Sequence, residues 1–195
     1  MSHDTISANK SRQDLSCYQE IWLFAYGSLI YKVDFPYLAS SQASIYGWQR
    51  RFWQGSHDHR GTVDAPGRVL TLIEHQHSEC CGVAFQVTQE VFEHLDHREK
   101  NGYLRYEVDI HFNDNQVKPG LVYIAPKNNA AFLGPASEQA IAEHIEQSRG
   151  PSGENKDYAL QLADALRALK INDPHVFAIE QALKNLASPN SLDKH

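Results

Sequence analysis

The chain has 195 residues, of which 42% are hydrophobic and 22% charged, enough apolar mass for the core of one domain and too little net polarity for intrinsic disorder. Its 18 basic and 24 acidic side chains leave a formal charge of −6, which argues against a dedicated nucleic-acid binder, because phosphate contacts need a Lys and Arg field that this composition lacks. No apolar run approaches the roughly 20 residues of a membrane span, the first sixteen residues lack the apolar segment of a secretory signal, and Cys17 with adjacent Cys80-Cys81 implies no disulfide framework. The expectation is a reduced, cytoplasmic protein with a small soluble partner, not bound to nucleic acid or membrane and with no obligate protein partner.

Residues 1–19 are polar and aperiodic and read as a flexible arm, residues 20–188 as one domain, and residues 189–195 as a disordered tail. From Ile21 to Ala25 the chain is continuously apolar and then meets Tyr26-Gly27-Ser28, the pattern of a buried strand running into a tight turn. Further strands are expected at Ala43 to Trp48, Val69 to Glu74 and Gly82 to Val87, each rich in branched or aromatic residues. Thr88 is placed to cap a short helix that buries Val91, Phe92 and Leu95 and ends near His97. From Leu104 to Phe112 apolar and polar residues alternate strictly, which predicts a strand with one buried face, and another strand follows Pro119-Gly120. After Gly134-Pro135 the period becomes helical. Ser137 caps one helix, Tyr158, Leu162, Leu166 and Leu169 mark a second, and Asp173-Pro174 opens a third through Val176, Ile179, Leu183 and Leu186. Strands in front and helices behind favour an α+β fold with a small, curved or closed sheet.

Four segments could carry chemistry. The Tyr26-Gly27-Ser28-Leu29 turn can aim backbone N–H groups at a carboxylate or oxyanion, although such a tripeptide alone is also an ordinary strand end. In Arg98-Glu99-Lys100-Asn101-Gly102-Tyr103, a glutamate between two cations is either a solvated loop residue or, if turned into an aromatic cleft, a general base whose pKa desolvation raises and the cations lower. Arg50 to Gly61, dense in donors and aromatics, suits a hydrogen-bonded network better than a nucleic-acid surface. The 11 histidines include His57-x-His59 and His75-x-His77, and alternate strand residues face one way, so a metal-dependent β-barrel is a rival reading. Against it, Glu74 to Glu79 looks like an exposed polar turn. No Gly-rich phosphate loop or Gly-x-Ser-x-Gly elbow is present.

Taken in order, Phe24-Ala25-Tyr26-Gly27-Ser28-Leu29-Ile30, Arg50 through Gly61, Pro66-Gly67-Arg68-Val69, Gly82-Val83-Ala84-Phe85, Arg98 through Tyr103 and Gly150 through Asn155 resemble the ChaC family of glutathione-specific γ-glutamylcyclotransferases. The resemblance covers about Trp22 to Leu186. It implies a γ-glutamylcyclotransferase-like fold, a small bent β-barrel surrounded by helices, and cleavage of glutathione to 5-oxoproline and cysteinylglycine without a metal or other cofactor. It places the catalytic group at Glu99 and the substrate loop at Tyr26, Gly27, Ser28 and Leu29, continuing through Ile30 and Tyr31. Arg50, Arg51 and Tyr103 then either orient the substrate or brace its loop. Departures are His57 where many members have threonine, Tyr31 for tryptophan and Phe85 for tyrosine. The alternatives are a cyclotransferase for other γ-glutamyl substrates, a non-catalytic regulator of cation transport, and the histidine metalloenzyme.

Overall fold

The computed structural model describes residues 4–187, so the tail read at 189–195 lies outside the described residues. The N-terminal stretch differs from its reading. It holds a short helix, α1 (Ile6–Arg12), and a 3-10 turn at Leu15–Cys17. The one completely buried side chain in that helix is the polar Asn9, which hydrophobic periodicity cannot register.

Strand β1 (Ile21–Ala25) is buried along its whole length. Trp22 and Phe24 enter one core and Ile21, Leu23 and Ala25 another, so the period-two alternation of a strand produces an unbroken apolar run when both faces are covered. Two long strands follow, β2 (Ala39–Ser56) and β3 (Gly67–Val87), and β3 pairs antiparallel with both β1 and β2. The separate strands expected at Val69 to Glu74 and Gly82 to Val87 are thus the two halves of β3. Between them the ladder steps from Tyr46↔Glu79 to Trp48↔Glu74, so residues 75–78 stand outside the pairing. That excursion is the polar string read as a turn, and Gly47 opposite it takes φ +82°.

A second irregularity lies between Arg51↔Thr71 and Gln54↔Val69, where β2 spends one more residue than β3. It is a β-bulge, and it frees the Phe52 amide to donate to His175 Nε2 at 3.2 Å while Phe52 itself is fully buried. Beyond the bulge, Gln54, Gly55 and Ser56 lie buried beneath the loop that follows the next helix.

Helix α2 (Val91–Arg98) starts two residues later than Thr88 suggested, with Glu90 in the N-cap position, and buries Val91, Phe92 and Leu95 as expected. The hairpin β4 (Leu104–Phe112) and β5 (Val117–Ile124) completes a closed barrel of strand order β1-β3-β2-β4-β5, sealed by parallel pairing at Leu23↔Leu121. On β4 one polar position breaks the predicted alternation, because the Arg105 side chain is only 2% exposed and lies 3.4 Å from the buried Asp96 of α2.

Three helices cover one side of the barrel: α3 (Glu138–Gln147), α4 (Asn155–Ala168) and α5 (Pro174–Ala187). Ser137 caps α3 by accepting from the Ala140 amide at 3.2 Å, and Asp173 caps α5 by accepting from Val176 at 3.1 Å. Two two-residue strands, β6 (Arg149–Gly150) and β7 (Gly153–Glu154), make the turn from α3 into α4. The architecture is the α+β barrel-with-helices expected from the sequence.

Candidate active site

Two rigid elements end at the same place. Strand β1 runs out into Tyr26 and Gly27 and then the 3-10 turn Ser28–Ile30, whose leading amides have no partner within the turn. Helix α2 ends with the Glu99 amide donating to the Leu95 carbonyl at 2.8 Å, which fixes the backbone of Glu99 one residue beyond the last helical turn.

Arg98 joins the two ends. Its Nη2 donates to Ser28 Oγ at 3.0 Å, Nη1 to the Lys32 carbonyl at 3.1 Å and to Asp34 at 2.5 Å, and Nε lies 3.4 Å from Glu99 Oε1. The loop after Glu99 is held from below. Asn101 donates to the Gly55 carbonyl at 2.9 Å, Gln54 donates to the Asn101 carbonyl at 3.1 Å, and Gly102 turns the chain at φ +90° with Asn129 too close for any Cβ. From the other side Thr5 donates to the Lys100 carbonyl, and Asn9 spans Tyr103 and Arg105 as a strand partner would.

Between these ends lies a cleft of about 190 Å³. Tyr26, Gly27, Ser28, Leu29, Tyr31, Glu99 and Tyr103 all line it, so most of the residues chosen from sequence meet there although 68 positions separate Tyr31 from Glu99. Ile30, Arg50 and Arg51 do not line it. Ile30 packs against both cores. Arg50 is buried behind the loop, donating through Nε to the Tyr26 carbonyl at 2.7 Å and pairing with Asp173 at 3.2 Å, contacts that brace the loop. Arg51 turns back on its own strand, to the Arg50 carbonyl and Gln49. Tyr103 both lines the cleft and donates to the Leu70 carbonyl.

Sequence reading missed Tyr158, Asp58 and Ser152, which also line the cleft. Tyr158 lay in the apolar stripe of α4 and read as core, and its hydroxyl accepts from the Leu70 amide at 3.4 Å. Asp58 and Ser152 lay inside quoted segments but carried no spacing that singles them out.

Among the lining tyrosines, Tyr26, Tyr103 and Tyr158 have hydroxyls committed to backbone groups. Tyr26 donates to the Tyr123 carbonyl at 2.8 Å, and burial raises the pKa of Tyr26, Tyr103 and Tyr158 above the usual phenol range. These hydroxyls stay protonated at working pH and cannot take up a proton. Glu99 differs. Its side chain is 16% exposed, enough to meet a ligand, and burial raises its pKa above the ordinary carboxylate value. Arg98 opposes that rise, while Asp34 and Asp58 add to it. A carboxylate so placed can exchange protons nearer neutrality than a solvated one.

Of the histidine pairs, His59 lines the cleft and His75 does not. His59 Nδ1 is 3.1 Å from Ser152 Oγ, and His75, on the excursion of β3, shares a hydrogen with Ser78 Oγ at 2.8 Å. Among the described residues no three His, Cys, Asp or Glu side chains are grouped to hold a metal ion, and no helix is long and apolar enough to cross a membrane.

The chain is similar to several known proteins. A zebrafish (Danio rerio) protein named glutathione-specific γ-glutamylcyclotransferase 1 is 44% identical over 173 residues, covering 84% of this chain and 88% of its own. The human protein of the same name is 41% identical over 175 residues, covering 85% and 79%. A crystal structure of a yeast γ-glutamyl cyclotransferase specific to glutathione superposes with a TM-score of 0.81 at 32% identity, over 86% of this chain and 97% of that one. The sequence profile of ChaC-like proteins matches residues 21–186, from the first residue of β1 to the last turn of α5, and with these relatives it shows that the chain belongs to the ChaC-like family.

Proposed function

We propose that this protein is a γ-glutamylcyclotransferase that cleaves glutathione into 5-oxoproline and cysteinylglycine. The observation that carries the reading is Glu99, a carboxylate of raised pKa facing the same small cleft as the Gly27–Ser28 turn. The names of the relatives point to the same reaction.

The α-amino nitrogen of the γ-glutamyl group attacks its own γ-carbonyl carbon, forming the C–N bond of a five-membered lactam. The bond from that carbon to the cysteinyl nitrogen breaks. No water enters; of the three protons on the ammonium one stays on the lactam nitrogen, and the other two end on the departing nitrogen, which leaves as the ammonium of cysteinylglycine. Nucleophile and electrophile share one molecule, so the protein must hold the curled conformer, carry protons from the attacking to the leaving nitrogen and stabilise one oxyanion. In this reading Glu99 takes a proton from the ammonium to free the attacking amine and, once the carbonyl is attacked, passes a proton to the leaving nitrogen, while the leading amides of the Ser28–Ile30 turn receive the oxyanion or the α-carboxylate.

Release of 5-oxoproline from glutathione tests the activity directly. Replacing Glu99 with Gln should cost about 10²- to 10⁴-fold in turnover, the usual contribution of general acid–base catalysis, while glutathione still binds. Near-normal turnover by the folded variant would remove Glu99 from the mechanism. Glutathione, its disulfide and γ-glutamyl dipeptides compared side by side define the substrate range, with reduced glutathione expected to be turned over best.

A further inference from the structure

Three carboxylates line the cleft: Asp34, Asp58 and Glu99. Asp34 and Glu99 share Arg98, and Asp34 also meets His94 at 3.3 Å. Asp58 has no such provision. Oδ1 has no hydrogen-bond partner among the described residues, and Oδ2 faces the His59 imidazole, whose Nε2 lies 3.8 Å away, beyond hydrogen-bond reach. That histidine is already engaged with Ser152 through Nδ1. Arg60, the next residue along, is turned to the Glu154 carbonyl at 2.9 Å. The Asp58 side chain is only 31% exposed, and Oδ1 is sealed from bulk water, so a ligand in the cleft meets this group through Oδ2.

An ionised carboxylate has acceptor sites on both oxygens, and leaving them empty is unfavourable when water is partly excluded. Such a group on the wall of a binding cleft is matched to a cation. Glutathione carries one cationic group, the α-ammonium. We infer that Asp58 receives the α-ammonium of the substrate, holding the nitrogen that Glu99 deprotonates. This rests on the γ-glutamyl reading of the cleft and gives each of its carboxylates a separate role. Asp34 holds Arg98 against the loop, Asp58 selects substrates with a free α-amino group, and Glu99 serves proton transfer.

The test is a cycle between one side chain and one substrate group. Binding of glutathione and of N-glutaryl-cysteinylglycine, which lacks only the α-amino group, is measured by calorimetry on the Glu99→Gln protein with and without Asp58→Asn. Asp58→Asn should weaken glutathione about ten- to hundredfold, the range of a charge-assisted hydrogen bond, and leave the glutaryl compound within about twofold. Equal losses for both compounds would assign Asp58 a structural role, and no loss for either would leave it without one; both results overturn the inference. If glutathione binds neither protein and the wild type releases no 5-oxoproline, the reading beneath it falls as well. Asp58→Ala serves the same comparison should asparagine not be tolerated.

Discussion

At the scale of single residues, the behaviour of Glu99 is a contest between burial and charge. Burial is the largest influence and raises its pKa, Asp34 and Asp58 act in the same direction, and Arg98 opposes them. As a base Glu99 must be ionised, so the acid limb of kcat/KM should lie above the roughly 4.3 of a solvated glutamate, and a pH–rate profile locates it. The same shift acts on stability. Between the unfolded and the higher folded value, the folded protein retains a proton that the unfolded chain has lost, so stability falls as pH rises through that window. Above it the ionised carboxylate imposes a constant penalty, and below it there is none. Glu99→Gln should therefore raise the melting temperature at pH 7 relative to the wild type, and the difference should disappear at pH values below about 4. A lower melting temperature at neutral pH would mean that Arg98 more than compensates for burial.

At the scale of elements, the loop after α2 depends on the N-terminal segment. Asn9 donates to the Tyr103 carbonyl at 3.0 Å and accepts from the Arg105 amide at 2.8 Å, and Arg12 adds a bond to the Arg105 carbonyl at 2.7 Å. One side-chain amide thus takes the place of a neighbouring strand at the start of β4. Asn9→Ala removes both bonds at a fully buried position and leaves a donor and an acceptor unmet. The expected cost is about 1–3 kcal/mol, read as a lower urea midpoint with unchanged slope. A midpoint equal to the wild type would mean that water replaces the amide.

At the scale of the whole molecule, Arg50 ties the barrel to its helical cover. From β2 it reaches the Tyr26 carbonyl at the end of β1, the Cys81 carbonyl of β3, and Asp173 at the start of α5. Replacing it with Met leaves Asp173, whose side chain is 12% exposed, without its ion-pair partner. Breaking a buried pair from one side costs about 3–5 kcal/mol. Because Arg50 does not line the cleft, the protein that remains folded at low temperature should keep a KM within about twofold of the wild type, less than the roughly 1.4 kcal/mol that a tenfold change represents. A KM raised well beyond that would return Arg50 to direct contact with substrate.

Local pattern alone determined much of this protein. The unbroken apolar run of β1, the strict alternation of β4 and the capped starts of α3 and α5 were all legible, because each follows from the repeat of one element and its end groups. Ordered motifs likewise singled out Glu99 and the Tyr26–Leu29 turn. Tertiary structure alone decided that Asn9 and Arg105 are buried, that Arg50 braces while Asp58 faces the cleft, and that Tyr158 forms a wall. Those outcomes depend on which groups closure of the barrel brings together across dozens of residues, and a polar side chain declares itself buried only once its hydrogen-bonding partner has arrived.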